Sequence, residues 1–224
     1  MRVDEAILGR TSIRAFRPDP VSEATLREIL EIARYAPSGS NLQPWRVIAL
    51  TGAARDAVAA IGRQAVAEKA PTEEGDYPMH LHELFEPYLS RRAQVAAERF
   101  EQLGIPREDR AARRAQMARN AEFYGAPAAL FFITDKRLPH AQWVDMGALM
   151  QSIALTAFER GVSTCYQLWW AMYRERLHAH FGLGENDVIH CGMALGYADP
   201  NAQINAYRSK RAAVDEFEIG RAHV

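Results

Sequence analysis

Three side chains near the amino terminus have the types and spacing to grip an anion. In Arg10-Thr11-Ser12-Ile13-Arg14, an extended backbone turns alternate residues the same way, so Arg10, Ser12 and Arg14 present two guanidinium forks and a hydroxyl on one face. A guanidinium makes paired charge-assisted bonds to phosphate oxygens, and a hydroxyl fills a further lone pair. The same spacing suits arginines on a solvated surface, and spacing alone leaves both readings open. A second cluster, Ala36-Pro37-Ser38-Gly39-Ser40-Asn41-Leu42-Gln43-Pro44-Trp45, sets small hydrogen-bonding residues between two prolines. Gly39 permits close backbone approach to a ligand, while Ser38, Ser40, Asn41 and Gln43 match a polar heterocycle edge. Taken alone, it reads as a helix-to-strand loop capped by a packing tryptophan.

Other pairings are weaker. His80-x-His82 and His178-x-His180 look like metal pairs, but residues i and i+2 on a helix point to different faces, so no metal is expected. Cys165 and His190 could be drawn as nucleophile and base; both sit in apolar runs, where packing is the simpler role. Trp143, Trp169, Trp170 and Tyr173 could stack on an aromatic ligand, and are read first as interface residues.

The elements that must position these residues follow from the pattern. Ser22 is an N-cap, and Leu26, Ile29, Leu30 and Ala33 form the stripe of a helix buried on one face, ending near Ala36. Arg46 to Leu50 reads as a buried strand, and Ala53 to Lys69 as a helix before a polar breaker at Pro71 to Pro78. From about 70 to 125 the chain is highly charged and predicts two amphipathic helices broken at Gly104-Ile105-Pro106, an excursion or lid rather than core. Pro127 to Thr134 is apolar throughout and predicts a buried strand. A long helix over Ala141 to Arg160 stops at Gly161, followed by a strand over Val162 to Leu168, a helix near Met172 to Phe181 and a last strand over Val188 to Leu195. Mixed α and β structure in one domain over 1–224 is the expectation.

Bulk composition excludes more than it selects. The 224 residues carry 27 Lys+Arg against 28 Asp+Glu, a formal charge of −1, so the basic excess of an electrostatic nucleic-acid binder is missing. No apolar run approaches membrane-spanning length, and the first residues lack a signal-peptide core. Two widely spaced cysteines suit neither a disulfide framework nor a zinc site. A cytoplasmic protein is expected.

In combination the segments point further. The sequence resembles the FMN-dependent nitroreductase family, whose members open with Arg-x-Ser-x-Arg/Lys-x-Phe, here Arg10 to Phe16, and continue with Ala-Pro-Ser-x-x-Asn-x-Gln-Pro-Trp, here Ala36 to Trp45. The likeness runs on through Asp145-Met146-Gly147, Glu159 to Cys165, Cys191 to Tyr197, and the tail at Arg208 to Arg211. It implies an α+β fold with a central mixed or antiparallel sheet flanked by helices, and an intertwined homodimer with FMN at the subunit interface. Arg10 and Ser12 would hold the phosphate and ribityl end with Arg211, helped by Arg208, in an element that also carries Thr11. Arg14 would lie at the flavin pyrimidine edge and is the catalytic candidate, its fixed charge matching the negative charge that reduction places there. Pro37, Ser38, Gly39 and Asn41 would come from the other subunit. Tyr166, Gln167 and Leu168 would run along the ring and supply a backbone N–H toward N5. The implied activity is ping-pong hydride transfer from NADH or NADPH to a small nitroaromatic, quinone or related acceptor. A reductive dehalogenase, a flavin-consuming enzyme and a non-catalytic flavin binder are the alternatives.

Overall fold

The computed structural model describes residues 1–72, 75–77, 84–218 and 220. Its centre is a four-stranded antiparallel sheet in the order β1 (Arg46–Thr51), β2 (Ala128–Asp135), β4 (Asp187–Gly196), β3 (Ser163–Gln167). β2 and β4 are the inner strands and are almost wholly buried, as expected from the unbroken apolar run after Pro127. β1 corrects its reading as a buried strand. It pairs only with β2, and of its residues only Leu50 is buried, because an edge strand has a neighbour on one side alone.

Helices cover both faces of the sheet. On one, Leu130, Phe132, Met193 and Leu195 pack against α2 (Glu23–Ala33) and α6 (Ala141–Glu159). On the other, Phe131, Ile133 and Ala194 meet α3 (Gly52–Ala67), Trp170 and Leu177 of α7 (Arg174–Phe181). Trp170 corrects its reading as an interface residue. It is fully buried in its own chain, stacked on Phe123 at 4.7 Å. A Cβ at position 192 would come within 2.7 Å of its ring, so Gly192 is what lets the indole lie across β4.

A bulge in β4 matters for the site. Phe132 faces Cys191, yet Ile133 faces Ile189, leaving His190 as the extra residue. Side chains alternate along a strand, so this insertion turns Ile189 to the face opposite Cys191.

Ser22 caps α2 by accepting from the Thr25 N–H at 3.0 Å, and α6 ends at Gly161, whose φ of 71° is the left-handed turn anticipated there. A short helix not anticipated from sequence, α1 (Val3–Gly9), precedes Arg10. The helix expected near Met172 to Phe181 is a 3₁₀ turn, Leu168–Tyr173, followed by α7. The charged excursion contains α4 (Tyr88–Gln102) and α5 (Arg110–Ala118), broken at Gly104 as expected. It is docked as well as solvated. Phe100 is buried beneath the guanidinium of Arg113, 4.1 Å from its ring centre.

Candidate functional site

The Arg10 to Phe16 segment is laid along the free edge of β3. Ser12 bridges Thr164 in parallel fashion, and the Ile13 N–H donates to the Thr164 carbonyl at 3.0 Å. Ile13 and Ala15 point inward and are buried, which leaves Ser12 and Arg14 on the other side, the alternation that extended backbone demands. A cavity of about 180 Å³ opens beside this segment, lined by Arg10, Thr11, Ala154, Phe158, Thr164 and Arg208. On its wall the Arg10 Nε and the Thr164 hydroxyl are buried with no hydrogen-bond partner among the described residues. An unpaired buried donor on a charged group is costly, and an anionic oxygen seated there would remove the penalty. Arg208 is held in place through Nη1 bonds to the Asn205 and Tyr207 carbonyls. Arg211 lies elsewhere, bonded to Ser209 and lining a separate cavity with Arg91, Glu98 and Lys210.

Arg14 is fixed by its own backbone. Its N–H donates to Asn205 Oδ1 at 2.9 Å, and its Nη1 to the Ser12 carbonyl at 3.3 Å. Buried around it are Cys165 and Tyr124. Burial raises the Cys165 thiol above its ordinary value, and the charge of Arg14 opposes that rise. Burial likewise pushes Tyr124 up to about 12, so it stays a neutral donor to Asn120 Oδ1 at 2.8 Å.

The expected Tyr166, Gln167 and Leu168 run along β3 and into the 3₁₀ turn. Their side chains are turned away. The Tyr166 hydroxyl donates to the Met150 carbonyl at 3.1 Å, and the Gln167 amide is buried against the Asn120 carbonyl at 3.0 Å. The Gln167 N–H faces the buried Cys191 thiol. Leu168, about two-fifths exposed, is the open end of the segment.

The Pro37–Asn41 loop lies at the other end of α6. The Gly39 N–H is held between both oxygens of Asp145, each 3.2 Å away, and the Gln43 N–H donates to Ser38 Oγ at 3.0 Å. Ser40, Asn41 and Gln43 all have positive φ, at 51°, 56° and 49°. Three non-glycine residues in that region within four positions mark a backbone shaped by its surroundings. Beside the loop, His190 is buried against Trp143 with ring centroids 4.9 Å apart, and its carbonyl accepts from the Tyr77 hydroxyl. Burial pushes its imidazole down to about 4.

Gly39 is anchored at Asp145, whereas the Arg10 cavity rests on Ala154 and Phe158. At about 1.5 Å of rise per residue, these points are about 14–20 Å apart along α6. Within one chain the Arg10 cavity and the Gly39 loop therefore stand apart.

The remaining sequence candidates disperse. Cys165 faces Ala194, about 13 Å along β4 from His190, so the two form no dyad. His178 faces Asp76 at 3.4 Å and His180 packs on Phe181. His80 and His82 lie outside the described residues. Asn205 was missed, because its partners Arg14 and Ala15 lie some 190 residues away and no local motif announces it.

Comparison with known proteins gives a consistent picture. The Nitroreductase family model matches residues 7–197. Nitrobenzene nitroreductase of Ectopseudomonas oleovorans is 36% identical over 218 residues, 96% of this chain and 95% of that protein. 4-Nitrobenzoate reductase of Pseudomonas putida is 36% identical over 96% of this chain and 93% of its own length. Among solved structures, the FMN and NADPH-dependent nitroreductase NfnB from Sphigopyxis sp. strain HMH superposes with a TM-score of 0.94 at 36% identity, covering 99% of this chain and all of that one. NfnB from Mycobacterium smegmatis, solved in complex with NADPH, gives 0.90 at 34% identity over 97% of each chain. With its antiparallel sheet, its Arg10 segment on β3 and its Asp145-held loop, this chain belongs to the nitroreductase family.

Proposed function

We propose that the protein is an FMN-dependent NAD(P)H oxidoreductase that reduces nitroaromatic, quinone or related acceptors as a homodimer, with each FMN held between two subunits. The observation that carries this reading is the division of the site between the two ends of α6. The cationic half has an orphaned Arg10 Nε and the neutral half a preshaped Gly39 loop. A two-fold dimer that apposes one half to the other completes two equivalent sites. Exposed apolar residues supply surface for such a dimer, notably Val3, Ile7 and Leu8 on α1, Val144 on α6 and Phe217 in the tail.

The residues fit the cofactor as follows. Arg10, Thr11, Ser12 and Arg208 take the phosphate end; Arg208 shares the Arg10 cavity, which makes it the stronger tail candidate, and Arg211 would join only from its separate place in the tail. Arg14 sets a fixed positive charge at the pyrimidine edge, with Asn205 holding its backbone. Pro37, Ser38, Gly39 and Asn41 close over the ring from the partner, and the β3 end at Leu168 lies along it. When bound, FMN supplies reversible two-electron chemistry, taking hydride from the nicotinamide and passing it to the acceptor. No side chain has to act as nucleophile. The chain functions as one unit, with the helical excursion covering the site.

Among the described residues no helix is long and apolar enough to cross a membrane. We place the protein in the cytoplasm, a reading that its two free, buried cysteines support.

Anaerobic addition of NADPH, and separately NADH, to the yellow protein tests the reading. The expected result is bleaching of the flavin, reversed on adding nitrobenzene or 4-nitrobenzoate. A flavin that no nicotinamide reduces would make this a binding protein, and one that reoxidises with oxygen but with neither nitroaromatic would remove the acceptor class.

A further inference from the structure

The tail that positions Arg14 also captures α4. The Tyr207 hydroxyl bonds Glu98 at 3.1 Å, and Gln102 Nε2 donates to the Gln203 carbonyl at 3.2 Å. Asn205, between these anchors, accepts from the Arg14 N–H. The α4 end between Glu98 and Gln102 is thus strapped to the stretch that holds Arg14, and Arg99, half-buried there, is brought beside Arg14, Tyr124, Cys165 and Tyr207. Its only hydrogen-bond partner among the described residues is the Met117 sulfur, at 3.8 Å. Among the described residues, none of Arg10, Arg14, Arg99 and Arg208 has a carboxylate within ion-pair distance. The contrast with Glu98 is instructive, since that neighbouring carboxylate is engaged by Lys210 and Tyr207.

Arg99 and Arg14 share Tyr124, Cys165 and Tyr207 as neighbours, and like charges gathered around the same residues repel each other. Burial first, and then the like charge of Arg14, lower the pKa of Arg99. An arrangement of this kind is unfavourable by itself and becomes favourable when an anion arrives.

We infer that Arg99 is a second cation of the cofactor site, acting with Arg14 on the flavin edge that becomes negative on reduction, so that α4 of the excursion tunes how tightly the reduced cofactor is held. This rests on the FMN reading given above. It assigns a part in the redox chemistry to a segment whose sequence reads as a solvated charged helix.

The test combines two measurements on Arg99→Met and Arg99→Lys. In the holoprotein, Arg99→Met lowers the ratio of reduced to oxidised FMN affinity by about tenfold, a fall of about 30 mV in the two-electron midpoint potential. Arg99→Lys restores most of it. In the apoprotein the sign reverses: with the repulsion relieved, Arg99→Met melts about 2–4 °C above the wild type. A residue that merely packs α4 would lower the melting temperature of both forms and leave the potential alone, and that result overturns the inference. So does an apoprotein that melts higher with an unchanged potential, which would place the Arg99 charge away from the flavin. A wild-type apoprotein that takes up no FMN at all overturns the functional reading itself.

Discussion

The two ends of α6 are built on opposite electrostatic plans. Near Ala154 and Phe158 the molecule is cationic, with Arg10 Nε buried and unmatched among the described residues and with Arg208 and Arg14 steadied by backbone and amide groups. Near Asp145 the Gly39 loop carries no charged residue of its own and is tied to its own chain, while Gln142 Oε1 and His190 Nε2 are buried there without partners among the described residues. The buried Asp145 carboxylate accepts from the Gly39 N–H, and His190 is kept uncharged by burial among aromatic rings. The first end is shaped to receive charge and the second to present a fixed surface. In the proposed dimer each end would complete the other, so that the assembly as much as any single residue would decide function.

A mixed dimer separates the two ends most directly. Arg10→Ala damages the cationic half and Gly39→Trp the neutral half, so each homodimer should be nearly free of flavin. A heterodimer of the two has one intact pair of halves and is expected to carry about half the wild-type FMN. No recovery in the tag-purified heterodimer would mean that both halves serve the same chain's site.

Smaller changes grade the two ends. Arg10→Ala should weaken FMN binding by about 10–100-fold, the worth of charge-assisted bonds to a phosphate, measured by titrating apoprotein and following flavin fluorescence. At the neutral end, the folded value of His190 lies below its usual 6.5, at about 4. The unfolded chain then binds more protons between those values, so stability is full above pH 6.5 and falls as pH drops through the window. The loss amounts to about 2 kcal/mol between pH 7 and 5. Urea unfolding of His190→Phe across that range should show a flatter profile; an unchanged slope would assign the effect elsewhere. Arg14→Ala should keep the dimer and slow flavin reduction by about tenfold, the scale of one lost electrostatic contact, as read by stopped-flow absorbance. Asp145→Ala, which frees the Gly39 N–H, should cost about 1 kcal/mol of stability and expose the loop to protease. Equal protection in the variant would show that the loop holds its shape without the carboxylate.

Strong local signals were the ones legible without coordinates. Ser22 and the Leu26, Ile29, Ala33 stripe fix α2, and the apolar run after Pro127 fixes β2, because capping and burial act over a few residues. β1 is legible only as a strand, because whether a strand lies at a sheet's edge is a matter of its neighbours. The bulge at His190 left no trace in the sequence, since it depends on register against β2.

The residue types suited to an anion, the loop able to approach a ring and the family those motifs belong to are readable from the chain alone. Folding in three dimensions is what sets the two groups at opposite ends of α6, lets Arg208 rather than Arg211 share the Arg10 cavity, and ties the Glu98–Gln102 end of α4 to the stretch that holds Arg14. The reason is distance along the chain. Capping and alternation are local, whereas the meeting of Arg14 with Asn205, 191 residues later, is fixed only when the whole sheet closes.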